Sequence, residues 1–297
     1  MRIGIDIGGS HIAIAIVNEK GKIIKKLEQD IEKQEDMSQY ILNYVDKGIE
    51  KLNTIANIEQ IGIAAPGNPK ESIITNLVNL GINKIDFKEI EKKYNVPLKS
   101  INDGKAAAMA EKQYGAIKGY KDSVFLCLGT GIGGGIFLDN QLLQANRNPG
   151  FEVGHMVIDR KGILCHCGKR GCFETYCSMK RLKSELKKIL QTKTNQNLEN
   201  AIILKEILEK NMEDAEIKSI LDEYIENLVI GLSNIIDIFE PEIICLGGSF
   251  VYFKEILYNR LIEKMEREKY VFNKQSLPRI VLAELENDAG IIGATLI

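Results

Sequence analysis

One strand-and-turn unit occurs twice in this chain, and that repetition narrows the possible folds more than any other feature. In the first copy the β-type runs Arg2–Ile7 and His11–Val17 flank Gly8-Gly9-Ser10, and Lys22–Leu27 follows the turn Asn18-Glu19-Lys20-Gly21. In the second, Ser123–Leu128 and Gly133–Leu138 flank Gly129-Thr130-Gly131, and Gln141–Leu143 follows Asp139-Asn140. Short apolar runs bounded by glycine and Asn/Asp turns read as strands. Two copies of one unit predict two domains of similar core topology.

Between the copies, strands and helices alternate. A helix-period segment covers Ser38–Asn53, and the strand Gln60–Ala64 ends at Pro66-Gly67. A short helix at Glu89–Tyr94, a strand at Leu98–Ile101 and a small-residue helix at Gly104–Tyr114 follow. That is an α/β pattern. The second half reads as mostly helical, with Cys172–Leu190, Leu198–Lys210 and Asp214–Phe239. The strand Glu242–Leu246 then closes on Gly247-Gly248, and Asp288–Leu296 reads as a terminal helix. No connecting segment is rich in Pro or Ser, so the boundary near residues 115–121 is expected to be a close-packed hinge.

At 297 residues, 44% apolar and 27% charged, the chain can fill two cores. Its net charge of −2 argues against a nucleic-acid footprint or a membrane-surface patch. The opening MRIGIDIGG lacks a basic segment followed by an apolar one, and no uncharged apolar run reaches the roughly 18 residues of a membrane span. A cytoplasmic protein is the expectation.

Three glycine-rich turns follow apolar strands: Gly8-Gly9-Ser10, Gly129-Thr130-Gly131 and Gly247-Gly248-Ser249. Such turns let the backbone come close to a ligand and aim N–H groups at phosphate oxygens, and the Ser10 and Thr130 hydroxyls can add donors. A strand rather than a helix follows the first two turns, so neither is a P-loop or a dinucleotide fingerprint. Tight hairpin turns are the simpler reading of any one of them; three in one chain favour phosphate binding.

Asp6 ends an apolar strand beside the first glycine turn, where a carboxylate needs a metal, water or N–H partner. Asn102-Asp103 stands between a strand and a helix, so Asp103 is either the helix N-cap or a base at the mouth of a cleft; Asn102 can serve as cap instead. Cys165-His166-Cys167-Gly168-Lys169-Arg170-Gly171-Cys172 packs three cysteines into eight positions, ten residues after His155. Three thiolates and one imidazole would make a closed structural zinc site. His155 and His166 compete for the fourth place. His166, between two ligand cysteines, is expected to point away, which favours His155. Cys127, Cys177 and Cys245 sit in apolar patterns as core residues.

Together these motifs resemble the ROK family (repressors, open reading frames and sugar kinases) over essentially the whole chain. The resemblance rests on Asp6-Ile7-Gly8-Gly9-Ser10, Asn102-Asp103, the run Gly129 to Gly135, Glu152-Val153-Gly154-His155, the run Cys165 to Glu174, and Gly247-Gly248. It implies an actin-like, ribonuclease-H-like duplicated fold of two domains. These would be 1–117, completed by a C-terminal helix at 287–297, and 118–286, carrying the zinc loop. It also implies an ATP-dependent hexose kinase, most like a bacterial glucokinase, with Asp103 as general base. By the same resemblance Gly67, Asn79, Asn102, Glu152, His155 and Glu174 would contact the sugar, with Asn76 the alternative to Asn79. Asp6, Gly8, Gly9, Ser10, Thr130, Gly131, Gly247 and Gly248 would hold ATP and Mg2+. His155, Cys165, Cys167 and Cys172 would hold structural Zn2+. A homodimer is usual in the family. Departures are Ser10 for the usual Thr, Phe151 for the usual Gly, and Gly104-Lys105 after the base; these leave the sugar open among glucose, N-acetylmannosamine and other hexoses. Sugar-responsive repressors of the family carry an added N-terminal helix-turn-helix, whereas the strand pattern here begins at residue 2. Asp103 with intact glycine turns argues against a non-catalytic sugar binder.

Overall fold

The computed structural model describes residues 1–145, 151–268 and 277–297. The chain opens with β1 (Arg2–Ile7), β2 (His11–Val17), β3 (Ile23–Asp30), α1 (Met37–Asn53) and β4 (Gln60–Ala65). It continues through β5 (Asn68–Lys70), β6 (Ile73–Leu77), β7 (Ile82–Asp86), α2 (Lys88–Tyr94), β8 (Leu98–Asn102) and α3 (Asp103–Tyr114). Then come β9 (Ser123–Leu128), β10 (Ile132–Leu138), β11 (Gln141–Leu142), α4 (Phe173–Cys177), α5 (Met179–Leu190), α6 (Ala201–Lys210) and α7 (Ala215–Phe239). Finally come β12 (Ile243–Gly247), α8 (Lys254–Arg267), β13 (Arg279–Leu282) and α9 (Ala289–Ala294).

Among the described residues one sheet runs β3-β2-β1-β4-β8 and another β11-β10-β9-β12-β13. In the first, β1–β2 and β2–β3 are antiparallel, while β1–β4 and β4–β8 are parallel. In the second, β10–β11 is antiparallel and β9–β12–β13 parallel. The repeat therefore extends beyond the hairpins to the two parallel strands in each sheet, giving the expected duplicated α/β, actin-like, ribonuclease-H-like fold. The chain divides into two compact units: Met1–Tyr120 with Gly134–Phe151 and Glu284–Ile297, and Lys121–Gly133 with Glu152–Ala283.

Alternation explains the first unit's core. Ile3, Ile5 and Ile7 of β1 and Ile12, Ile14 and Ile16 of β2 are fully buried on one sheet face, packed with Ile41, Val45, Ile49 and Leu52 of α1. Those α1 residues recur at helical spacing, and Asp36 starts the helix by accepting the Gln39 N–H at 2.9 Å. Each fully buried isoleucine contributes about 1.5–3 kcal/mol. The other sheet face is lined by Ala13, Ala15 and Val17 with Ile291 of α9. Gly4 and Gly62 also lie on that face. A Cβ at Gly4 would strike the Ile291 carbonyl and one at Gly62 the Ala294 carbonyl, so small residues let the terminal helix lie directly on the strands.

Some segments differ from the sequence reading. Cys172–Leu190 is not one helix: Ser178, at φ −67° and ψ 142°, separates α4 from α5 and caps α5 by accepting the Arg181 N–H at 3.3 Å. The sheet β5-β6-β7 fills residues 68–86; β5 has only three residues, and β6 and β7 bury theirs without alternation. β13 has four residues, none fully buried, too few to show a period. α8 does carry a helical apolar spacing, Ile256, Leu257, Leu261 and Met265, which the sequence reading passed over. Cys177 and Cys245 are buried as expected, and Cys127 is partly so. No helix among the described residues is long and apolar enough to cross a membrane.

Candidate active site

In the first unit, Asp6 lies near the end of β1, opposite Ala13 of β2 and Ala64 of β4. The turn beyond it is closed by Gly8 N–H donating to the His11 carbonyl at 2.8 Å, with Gly9 and Ser10 exposed at its tip. Asn79, in a short 3-10 turn at Val78–Leu80, stands beside this tip: a Cβ on Gly9 would lie 3.3 Å from its Cβ. Gly67, at φ +88°, sits instead over the backbone of Thr75 and Asn76. Asn79 and Asn76 thus occupy different places, the first at the glycine turn and the second beneath Gly67.

The choice between cap and base at Asn102-Asp103 is visible in the hydrogen bonds. Asn102 is the N-cap of α3, its side chain accepting the Lys105 N–H at 3.3 Å. Asp103 is the first helical residue, and its carboxylate accepts the Gly104 N–H at 2.8 Å. Being spared the cap, Asp103 keeps lone pairs for other work. Burial pushes its carboxyl above the ordinary range, while the Gly104 N–H draws it back. Asp6 is raised to about 7, first by burial and then by the charge of Asp103, with His11 and Lys26 pulling the other way. The sequence reading gives His11 and Lys26 no role at the site; β2, which carries His11, pairs with the Asp6 strand, and β3, which carries Lys26, lies one strand further out.

The second unit holds the other glycine turns. Gly129 N–H donates to the Gly131 carbonyl at 3.0 Å, leaving Thr130 exposed between β9 and β10. β12 runs parallel to β9 with Gly247 opposite Cys127. Gly248, at φ +69°, lies against the end of β9, where a Cβ would come 2.7 Å from the Leu128 carbonyl. Two turns far apart in sequence therefore meet at one strand end.

Next to them lies the cysteine loop. His155, Cys165, Cys167 and Cys172 bring one nitrogen and three sulfurs within 4.8 Å of one another. Cys165 Sγ lies 3.6 Å from His155 Nδ1, and Cys167 Sγ 3.6 Å from Cys172 Sγ. No disulfide is present among the described residues. Burial pushes the Cys172 thiol up to about 12, so its proton stays unless a cation replaces it, while the Lys169 N–H lowers Cys167. Soft sulfur donors with one imidazole suit zinc.

His166 stays outside that four-donor group, and its largely exposed ring turns toward Glu174. Its Nδ1 lies 3.8 Å from Cys165 Sγ and 3.4 Å from Glu174 Oε1, and its ring meets His155 edge to face at 5.2 Å. Loop curvature between Cys165 and Cys167 brings it round to the Glu174 side. Glu174, in the first turn of α4, turns its other oxygen to the Ile132 N–H at 2.8 Å. Sequence reasoning had no signal for that bond. Glu152 is exposed, and its carbonyl accepts the His155 N–H at 3.0 Å.

The ROK family model matches residues 2–297. A glucokinase of Thermotoga maritima is 29% identical over 316 residues, covering 99% of this chain and 96% of that protein. A xylose repressor of Caldicellulosiruptor bescii is 28% identical over 311 residues, covering 98% of this chain and 76% of the repressor. A solved ROK family glucokinase of Streptomyces griseus, in complex with glucose and AMPPNP, superposes with a TM-score of 0.81 at 25% identity, covering 99% of this chain and 97% of that one.

Proposed function

Since the chain belongs to the ROK family, we propose that it transfers the γ-phosphate of ATP to a hexose hydroxyl, with glucose as the first-choice sugar and Asp103 as general base. The observation that carries this reading is the division of labour at the start of α3, where Asn102 caps the helix and leaves the Asp103 carboxylate for a substrate proton. In the proposed reaction Asp103 takes the proton of the sugar hydroxyl, whose oxygen attacks the γ-phosphorus while the bond to the ADP oxygen breaks. General-base help of this kind contributes about 10²–10⁴ in rate.

The remaining residues position and neutralise. Gly9, Ser10, Thr130 and Gly131 would offer N–H and hydroxyl donors to the phosphates, with Gly8 closing the first turn behind them through its bond to the His11 carbonyl, and Gly247-Gly248 would form a close-approach surface for the nucleoside. Asn79, Asn102, Glu152, His155 and Glu174, with Gly67, are assigned to the sugar hydroxyls. Asp6 would hold Mg2+, which supplies charge neutralisation on the phosphates when bound. His155, Cys165, Cys167 and Cys172 would hold Zn2+, which fixes the loop. The glucokinase relatives support the kinase reading. Similarity to a xylose repressor supports a second one, a sugar-responsive regulator on the same fold.

ADP release from Mg-ATP across a panel of hexoses, N-acetylmannosamine and xylose separates the two. Turnover with one hexose, lost by at least about 10²-fold in Asp103→Asn, is the expected result. Sugar binding without turnover for every member of the panel would instead favour the regulator.

A further inference from the structure

We infer that Glu174 is a positioning residue for the glycine turn Gly129–Gly131, so that the carboxylate assigned to the sugar also shapes the turn assigned to the phosphates. The inference rests on the kinase reading and deepens it. Glu174 Oε2 accepts the Ile132 N–H at 2.8 Å, the first peptide after the turn. His166 Nδ1 lies 3.4 Å from Oε1 and steadies the opposite side of the carboxylate. The Glu174 side chain is only 17% exposed, so this bond is largely sheltered from water.

Three further contacts fix the same peptide region. Gly131 has room for the carboxylate only because it lacks a side chain: a Cβ there would overlap Glu174 Oε2. A Cβ on Gly154 would in turn strike the Ile132 carbonyl, so the segment carrying Glu152 and His155 packs on the next peptide, at the other end of the same residue. Lys180 N–H of α5 donates to the Gly129 carbonyl at 3.1 Å. The glycine turn is therefore suspended from the Glu174 carboxylate, the Gly154 backbone and the start of α5. A carboxylate that met only sugar would leave the Ile132 N–H to water and would need no glycine at 131.

Mg-ADP binding measured without sugar tests this, because a purely sugar-binding role would not move it. Glu174→Ala should weaken Mg-ADP by about tenfold, the loss of one charge-assisted hydrogen bond. Glu174→Gln keeps an acceptor for Ile132 and should stay within about threefold of wild type. Gly131→Ala should weaken binding in the wild-type background and add almost nothing on top of Glu174→Ala, since both act through one contact. Unchanged Mg-ADP affinity in Glu174→Ala, or equal costs of Gly131→Ala in both backgrounds, overturns the inference. Hydrogen exchange of the wild-type Ile132 amide needs no variant: slow exchange is expected, and exchange as fast as that of exposed Thr130 overturns it. Wild-type protein that binds no Mg-ADP, with a protected Ile132 amide, would sink the kinase reading and leave the Glu174–Ile132 contact standing.

Discussion

Asp6 titrates at about 7 because it is buried and because the negative charge of Asp103 reaches it within the same compact unit. Burial raises both carboxyls, so neither ionises cheaply, and Asp6 feels the charge of Asp103 in addition. Between the ordinary carboxyl value of 3.8 and about 7, the folded chain holds a proton on Asp6 that the unfolded chain has lost. Asp6 therefore favours the folded, ligand-free state at low pH, and that contribution disappears as pH rises through about 7. A cation at Asp6 reverses the sign by favouring the ionised form. Mg2+ should accordingly bind more tightly as pH is raised from about 6 to about 8. Asp6→Asn should weaken Mg2+ binding and erase that step. Titration calorimetry at several pH values checks this, and a pH-independent Mg2+ affinity in the wild type would contradict it.

The cysteine loop draws a sharper distinction between its two histidines. With four donors already within 4.8 Å, one zinc per chain is expected. His155→Asn should lose the metal along with Cys165→Ser or Cys172→Ser, while His166→Asn should keep it. Chelation should lower the melting temperature by at least about 5 °C, since metal-binding energy is folding energy for such a loop. Elemental analysis of the purified variants decides: a zinc-free His166→Asn with a zinc-loaded His155→Asn would exchange their roles.

How much of this was legible in the residues depends on the length of the pattern. The bounds of β1 and β2 are legible to the residue because their isoleucine alternation ends in glycine or asparagine turns, and those of β9 because its continuous apolar run ends at Gly129. β5 and β13 span too few residues for a period to emerge, and β6 and β7, although as long as β8 and β12, bury their residues without alternation. At the site, residue types and spacing brought out Asp103, the cysteines and the glycine turns. Which of Asn102 and Asp103 capped α3 depended on backbone angles, with Asn102 at φ −62° and ψ 139°. The Glu174–Ile132 bond joins positions 42 residues apart, and no local pattern encodes it.

Glu111 offers a test of stability away from the glycine turns. Its fully buried carboxylate accepts the N–H groups of Ala116 at 2.8 Å, Glu284 at 3.0 Å and Leu285 at 2.8 Å. It ties the end of α3 to the chain entering the terminal segment. Glu111→Ala would leave three sheltered donors unpaired, costing about 3 kcal/mol, or roughly 6–12 °C in melting temperature. Glu111→Gln keeps an acceptor and should lose about half as much. A melting temperature for Glu111→Ala within about 2 °C of wild type would show that water replaces the carboxylate without cost.

The terminal helix connects this packing to Asp6. A side chain at Gly62 would overlap the Ala294 carbonyl, and Gly290, one turn earlier in α9, lies against the Asp6 carboxylate. Gly62→Ala must therefore lift α9 from β4, and the shift reaches Asp6 through Gly290. Overpacking of this kind costs about 1–3 kcal/mol. The same displacement admits water to Asp6, which removes part of the desolvation holding its carboxyl at about 7. The pH step in Mg2+ affinity should then move to lower pH in Gly62→Ala, alongside the drop in melting temperature. A destabilised variant whose pH step stays at about 7 would mean that Asp6 owes its raised value to the Asp103 charge rather than to cover from the helix.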